Sequence, residues 1–163
     1  MIAKVVDTNV PIAANRRNTH IDPKCQLACI QALDDIVKNG YVVIDKLGLI
    51  MKEYRENLNF KGEPGVGDGF YKYIFDNQYN TKKCLIVTIT PKNDGSGSFE
   101  EFPNSIALNG FDLSDHKFVA VASACDSDPS ILNASDSDWS DYEDALNDCD
   151  IVVEQLCPQH AKK

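Results

Sequence analysis

Apolar residues recur along the chain in two rhythms. Short runs bounded by polar residues, Ile2 to Asp7, Tyr41 to Asp45, Cys84 to Thr90, Ser130 to Ala134 and Asp150 to Leu156, have the length and composition of buried strands. Between them the spacing widens to a helical period. Pro23 to Asn39 carries Cys25, Leu27, Ala28, Ala32, Ile36 and Val37 at that spacing, and Gly40 follows where a left-handed residue is favoured. Asp45 to Leu58 repeats Leu47, Ile50, Met51, Tyr54 and Leu58, and Ser114 to Cys125 repeats Phe118, Val119, Ala122 and Cys125. The aromatic stretch Phe70 to Tyr79 predicts one more helix. Strands alternating with helices predict an α/β fold with a mostly parallel sheet covered on both faces. Asn59 to Gly69 and Pro91 to Gly110 are rich in Gly, Ser, Asn and Pro and predict surface loops, since neither flank can bury a core alone. The expected organisation is one domain over residues 1–158 with a loop-rich insertion around 59–110 and a short tail at 159–163.

Composition narrows this picture. The chain has 163 residues, 43% of them hydrophobic and 25% charged, a balance suited to one globular domain. It has no run of the roughly 18 apolar residues that a membrane helix needs. The N-terminus passes directly into a strand-like segment without a hydrophobic leader, so a cytoplasmic location is expected. Six cysteines sit inside apolar segments and outside Cys-x-x-Cys pairs, and most are expected to be buried, reduced thiols. The net charge is −9, unevenly spread. From Phe118 to Ala161 there are ten acidic residues and no Lys or Arg, so that stretch carries −10 and the rest sums to +1. The nearly neutral first two thirds can face a polyanion, and a bound cation can offset part of the acidic tract.

Ligands of parallel sheets bind at the carboxyl ends of the strands, which gives weight to acids at those ends. Asp7 closes the first strand and opens Asp-Thr-Asn-Val, where Thr8 and Asn9 can orient it or the triplet can simply cap the next helix. Glu53 lies about 60° from Ile50 around its helix, on the shoulder of the apolar stripe, whereas Glu56 faces water. Asp115 precedes Phe118 and Val119 by three and four residues and shares their face, a position suited to a metal ligand or a cap. His116 points away and is expected at the surface or behind the ligands. Asp136 and Asp138 follow the fourth strand in a Ser-rich turn. Oxygen-only ligands at one rim select hard cations such as Mg²⁺ or Mn²⁺, which assist phosphodiester hydrolysis.

The set DTNV, Glu53 in KEY, Asp115 in LSDHKFVAVASA, and ILNASDSDW followed by IVVEQL resembles the PIN domain family of metal-dependent ribonucleases, across Ile2 to Pro158. The resemblance implies a three-layer α/β/α sandwich and an acidic pocket that binds Mg²⁺ or Mn²⁺ and cleaves RNA internally, as a toxin, processing or defence nuclease. By position, Asp7, Glu53, Asp115 and Asp136 match the family's acidic quartet, Asn9 the polar residue after the first acid, and Asp138 a further acid of the last motif. Arg16, Arg17, Lys24, Lys46, Lys52, Arg55 and Lys61 are candidate RNA contacts. A cognate inhibitor protein and a homodimer are possible partners by resemblance.

The chain departs from the family at Pro11, where an aliphatic residue is usual, and at Ala134, where Ser or Thr commonly helps hold the last acids. Other chemistries lack their residues. GVGDG is not followed by Gly-Lys-Ser/Thr, GxGxxG is absent, and three scattered histidines offer no zinc pair beside Cys25 and Cys29. Asn9 stands where a haloacid-dehalogenase-type phosphatase needs its second Asp. The alternative to the nuclease is a non-catalytic protein-interaction module of the same fold, using the acidic surface and the aromatic helix.

Overall fold

A computed structural model describes residues 2–15 and 20–161. Five strands form one sheet: β1 (Ile2–Val6), β2 (Gly40–Asp45), β3 (Cys84–Val87), β4 (Ser130–Asn133) and β5 (Val153–Gln155). Every pairing is parallel and the order is β3-β2-β1-β4-β5. Among the described residues seven α-helices lie between the strands, α1 (Asn9–Ala14), α2 (Pro23–Asn39), α3 (Leu49–Asn57), α4 (Val66–Asn77), α5 (His116–Ala124), α6 (Ser137–Asp141) and α7 (Glu143–Asn147), and α8 (Pro158–Ala161) follows β5.

The strand order dictates the layers. Parallel crossovers are right-handed, so stepping outward from β1 through β2 to β3 places α2 and α4 on one face. Returning past β1 to β4 and β5 places α5 and α7 on the other. The packing agrees: α2 lies on β1 and β2 and touches α1 and α4, while α5 lies on β1, β2 and β4. The result is a three-layer α/β/α sandwich. Val5, Val6, Val42, Val43 and Ile131 are fully buried at its centre, with Phe118 and Val119 above them and Cys29 and Leu33 below. No helix of the described residues is long and apolar enough to cross a membrane.

Several elements differ from the expectation for definable reasons. β3 ends at Val87, because its partner β2 ends at Asp45 and offers no further ladder. β5 begins at Val153, after Asp150 turns the chain with a positive φ of 63°. Gly40 is not a left-handed cap: its φ is −135°, it opens β2, and a Cβ there would come within 2.6 Å of the Ile2 carbonyl oxygen. The glycine is required by close approach of two strands.

Residues 59–110 are less of an insertion than composition suggests, since they contain α4 and β3. α4 begins at Val66, inside the Gly-rich segment expected to be a loop. A Cβ on Gly67 would lie 1.8 Å from the Pro11 carbonyl oxygen, so the absent side chain lets α4 pack on α1. Buried Asp68 fixes that contact, accepting from Asn15 Nδ2 at 2.9 Å, Asn59 N at 2.8 Å and Gly65 N at 2.9 Å.

The cysteine expectation holds in part: Cys29, Cys84 and Cys125 are free and buried and Cys149 is free and half-buried, whereas Cys25 on α2 and Cys157 after β5 form a disulfide. The paired residues are 132 positions apart, and only the return of β5 to the sheet edge brings them together.

Candidate metal centre

The sheet changes winding direction between β1 and β4, and the crevice outside the carboxyl ends of those strands is the natural ligand site of such a fold. β1 delivers Asp7 there. Its backbone N–H donates to the Leu132 carbonyl at 3.2 Å, which joins the two strand ends. From the opposite face, a single 3-10 turn, Leu113–Asp115, leads into α5 and delivers Asp115. β4 delivers Asp136 through a tight turn in which the Asp136 carboxylate accepts from Asp138 N at 3.0 Å and caps α6. Asp7, Asp115 and Asp136 each offer a carboxylate oxygen, and these oxygens lie within 4.8 Å of one another.

Three carboxylates this close repel each other, and burial adds to the cost of ionising them. Asp7 is 4% exposed and Asp115 7%. Burial pushes the Asp7 carboxyl up to about 7, assisted by the charges of Glu53 and Asp136 and opposed by two hydrogen bonds. Burial likewise pushes Asp115 up to about 9, with Asp7, Asp136 and Asp112 adding to it. Asp136 is also raised, chiefly by burial. A divalent cation among these oxygens would supply the missing positive charge, and an all-oxygen donor set fits Mg²⁺ or Mn²⁺.

The surrounding groups hold the acids in place. Asp7 Oδ1 accepts from Asn9 N at 2.9 Å and Oδ2 from Trp139 Nε1 at 2.6 Å, so the carboxylate both starts α1 and faces the crevice. Pro11, in the first turn of α1, sacrifices no helical hydrogen bond there. Asn9 donates through Nδ2 to Asn133 Oδ1 at 2.8 Å and accepts from Ala134 N at 2.8 Å. Asn133, fully buried, also donates to the Asp136 carbonyl at 3.0 Å and to Gln155 Oε1 at 2.7 Å. Asn133 thus fixes the backbone at Asp136, whose N–H in turn donates to Asn133 Oδ1 at 3.2 Å.

The remaining expected residues occupy distinct places. Glu53 lies outside the three-oxygen cluster: it accepts from Thr8 Oγ1 and pairs with Lys117 Nζ at 2.8 Å. Asp138 groups with Asp112 and Asp115, their oxygens again within 4.8 Å, so Asp115 is common to both acidic groups. Beside Glu53 a cleft of about 260 Å³ is lined by Leu49, Lys52, Glu53, Phe99, Ser114 and Lys117 among others. Lys52 thus borders the cleft. Lys24 is exposed on the first turn of α2, and Lys46, Arg55 and Lys61 are exposed elsewhere; Arg16 and Arg17 lie outside the described residues. His116 is half-buried, stacked on Phe102 at 3.8 Å between centroids and bonded to Ser98 Oγ at 2.7 Å. It pins the loop after β3 to α5, and burial lowers its pKa.

Sequence reasoning missed Trp139, Asn133 and Lys117. The first had a signal: a lone Trp beside a strand-end acid, when buried, needs a partner for its N–H. Trp139→Phe keeps an aromatic ring, though a smaller one, and removes the donor to Asp7. It is expected to weaken Mn²⁺ binding about 10-fold, as loss of a group that orients a ligand does; unchanged affinity in a calorimetric titration would show that the indole N–H serves packing alone.

Family models, curated proteins and solved structures were all compared with the chain, and none matches. What the fold and the rim define is an α/β sandwich with an acidic cluster at its switch point.

Proposed function

We propose that this chain is a metal-dependent endoribonuclease of the PIN type. The observation that carries the reading is the convergence of Asp7, Asp115 and Asp136 within 4.8 Å at the carboxyl ends of the two central strands. A scaffold has no use for three mutually repelling carboxylates there, whereas a phosphodiesterase needs them. Asp7, Asp115 and Asp136 would hold one Mg²⁺ or Mn²⁺, with Asp112 and Asp138 beside them for a second. A cation so held supplies water activation and offsets charge developing on the phosphate.

The chain's own groups do the rest. Lys117 and Lys52 border the cleft and attract a phosphate to it. Glu53, whose carboxylate accepts from Thr8 Oγ1 and pairs with Lys117 at the edge of the cleft, would complete the metal shell or orient the attacking hydroxide. Asn9 and Asn133 tie the ends of β1 and β4 so that Asp7 and Asp136 keep their separation. No covalent nucleophile is required. RNA is the proposed partner, in the cytoplasm; the resemblance adds a cognate inhibitor protein and a homodimer.

The test is cleavage of total cellular RNA in Mn²⁺, Mg²⁺ or EDTA by the wild-type protein and Asp7→Asn. Cleavage in either metal, absent in EDTA and in the variant, is the expected result. Folded wild-type protein inert in both metals would favour the non-catalytic interaction module, and equal cleavage by both proteins would move the chemistry elsewhere.

A further inference from the structure

A second cluster lies on the opposite face of the sheet from α5 and is independent of the nuclease reading. Cys25 and Cys29 are four residues apart on α2, one turn apart on its buried side. Cys157, two residues after β5, meets both of them, and the three sulfurs lie within 4.8 Å of one another. All three residues have no exposed surface. Cys157 is bonded to Cys25, and Cys29 Sγ stands 4.0 Å from Cys157 Sγ. The sequence offered only the helix pair; the third sulfur comes from the other end of the chain.

We propose that Cys25, Cys29 and Cys157 form one thiol–disulfide exchange site, in which Cys157 can pair with either helix cysteine. In the exchange, the Cys29 side chain turns from beside the Cys25–Cys157 bond into line with it, its thiolate attacks Cys157 Sγ, a Cys29–Cys157 bond forms, and the Cys157–Cys25 bond breaks. The electron pair leaves on Cys25 Sγ, which takes up the proton that Cys29 lost. One disulfide is present before and after, so exchange needs no oxidant. Formation of the first disulfide from thiols needs a two-electron acceptor, for which a small-molecule disulfide suffices: it is reduced to two thiols as the protein bond forms.

The site works as a tether. α8 follows Cys157 directly and packs on α6, which carries Trp139 and its hydrogen bond to Asp7. The same junction is tied by polar contacts, since Asp22 N donates to His160 Nε2 at 3.1 Å and Gln159 Nε2 donates to Asp22 Oδ1 at 3.4 Å. With either pairing the segment after β5 stays bound to α2. Burial pushes the Cys29 thiol up to about 12, so at neutral pH it rests as a thiol and exchange proceeds slowly; alkaline pH speeds it.

The full chain, with Cys25→Ser and Cys29→Ser variants, is equilibrated with oxidised glutathione, quenched in acid, alkylated in denaturant and mapped by mass spectrometry. Wild type and Cys29→Ser are expected to yield the Cys25–Cys157 peptide, and Cys25→Ser the Cys29–Cys157 peptide. In wild type held at alkaline pH without oxidant, the Cys29–Cys157 peptide is expected to accumulate. A Cys25→Ser protein with wild-type circular dichroism that leaves both remaining sulfurs alkylated, or joins Cys157 to glutathione, would overturn the proposal. Should that variant not fold, wild type showing Cys25–Cys157 alone at every pH would do the same.

Discussion

Asp115→Asn is expected to abolish metal-dependent RNA cleavage and, at the same time, to make the metal-free protein harder to unfold. Both effects come from one feature of the site. Asp115 is 7% exposed and faces Asp7 and Asp136, which with burial lift its carboxyl to about 9. Near neutral pH the metal-free protein therefore holds a proton that the unfolded chain would release, and folding bears that cost. Asn has the same shape and no charge to bury. It is expected to raise the Tm by about 3 °C or more in EDTA. Cleavage should fall about 10³-fold, since a ligand of the cation that offsets several kcal/mol of developing charge has been removed. A variant that is both less stable in EDTA and fully active would contradict the assignment of Asp115.

Stability of the metal-free protein is expected to decline as pH rises, opposite to the usual behaviour of a protein with paired carboxylates. Asp7 and Asp115 have folded-state values, about 7 and about 9, above the ordinary 3.8. Their contributions are complete below 3.8 and are lost as pH climbs, through about 7 for Asp7 and about 9 for Asp115. Each proton held by the folded state alone gives a slope of about 1.4 kcal/mol per pH unit. His116 acts in the other direction at the acid end, because its pKa is lowered and its contribution is lost as pH falls. Saturating Mg²⁺ is expected to displace the protons and reverse the decline. Melting curves in EDTA and in Mg²⁺ from about pH 5 to about pH 9 check this; a Tm in EDTA that rises across that interval would contradict it.

How far the sequence reveals this molecule depends on whether the signal is local. β1, α2, β2, α5 and β4 are legible because each buries an apolar stripe or run against the same core. Acids placed at the ends of β1 and β4 are legible for the same reason, since strand direction alone puts them at one rim. The glycines of GVGDG mislead, because composition cannot separate a glycine that turns the chain from one such as Gly67 that admits a neighbour's backbone. α6 and α7, of five residues each, are too short to show a period. Glu53 is placed correctly on the shoulder of its helix, but its bond to Thr8 and its ion pair with Lys117 depend on three segments meeting. The same holds for Cys25 and Cys157, whose contact no local pattern announces.

The central claim is that the three carboxylates hold a divalent cation, and calorimetric titration with Mn²⁺ near neutral pH tests it most directly. Wild type, measured in two buffers of different ionisation enthalpy, is expected to bind with release of about one to two protons per ion, and Asp7→Asn to lose that binding. Absence of binding by the wild type, or equal binding by the variant, would contradict the account.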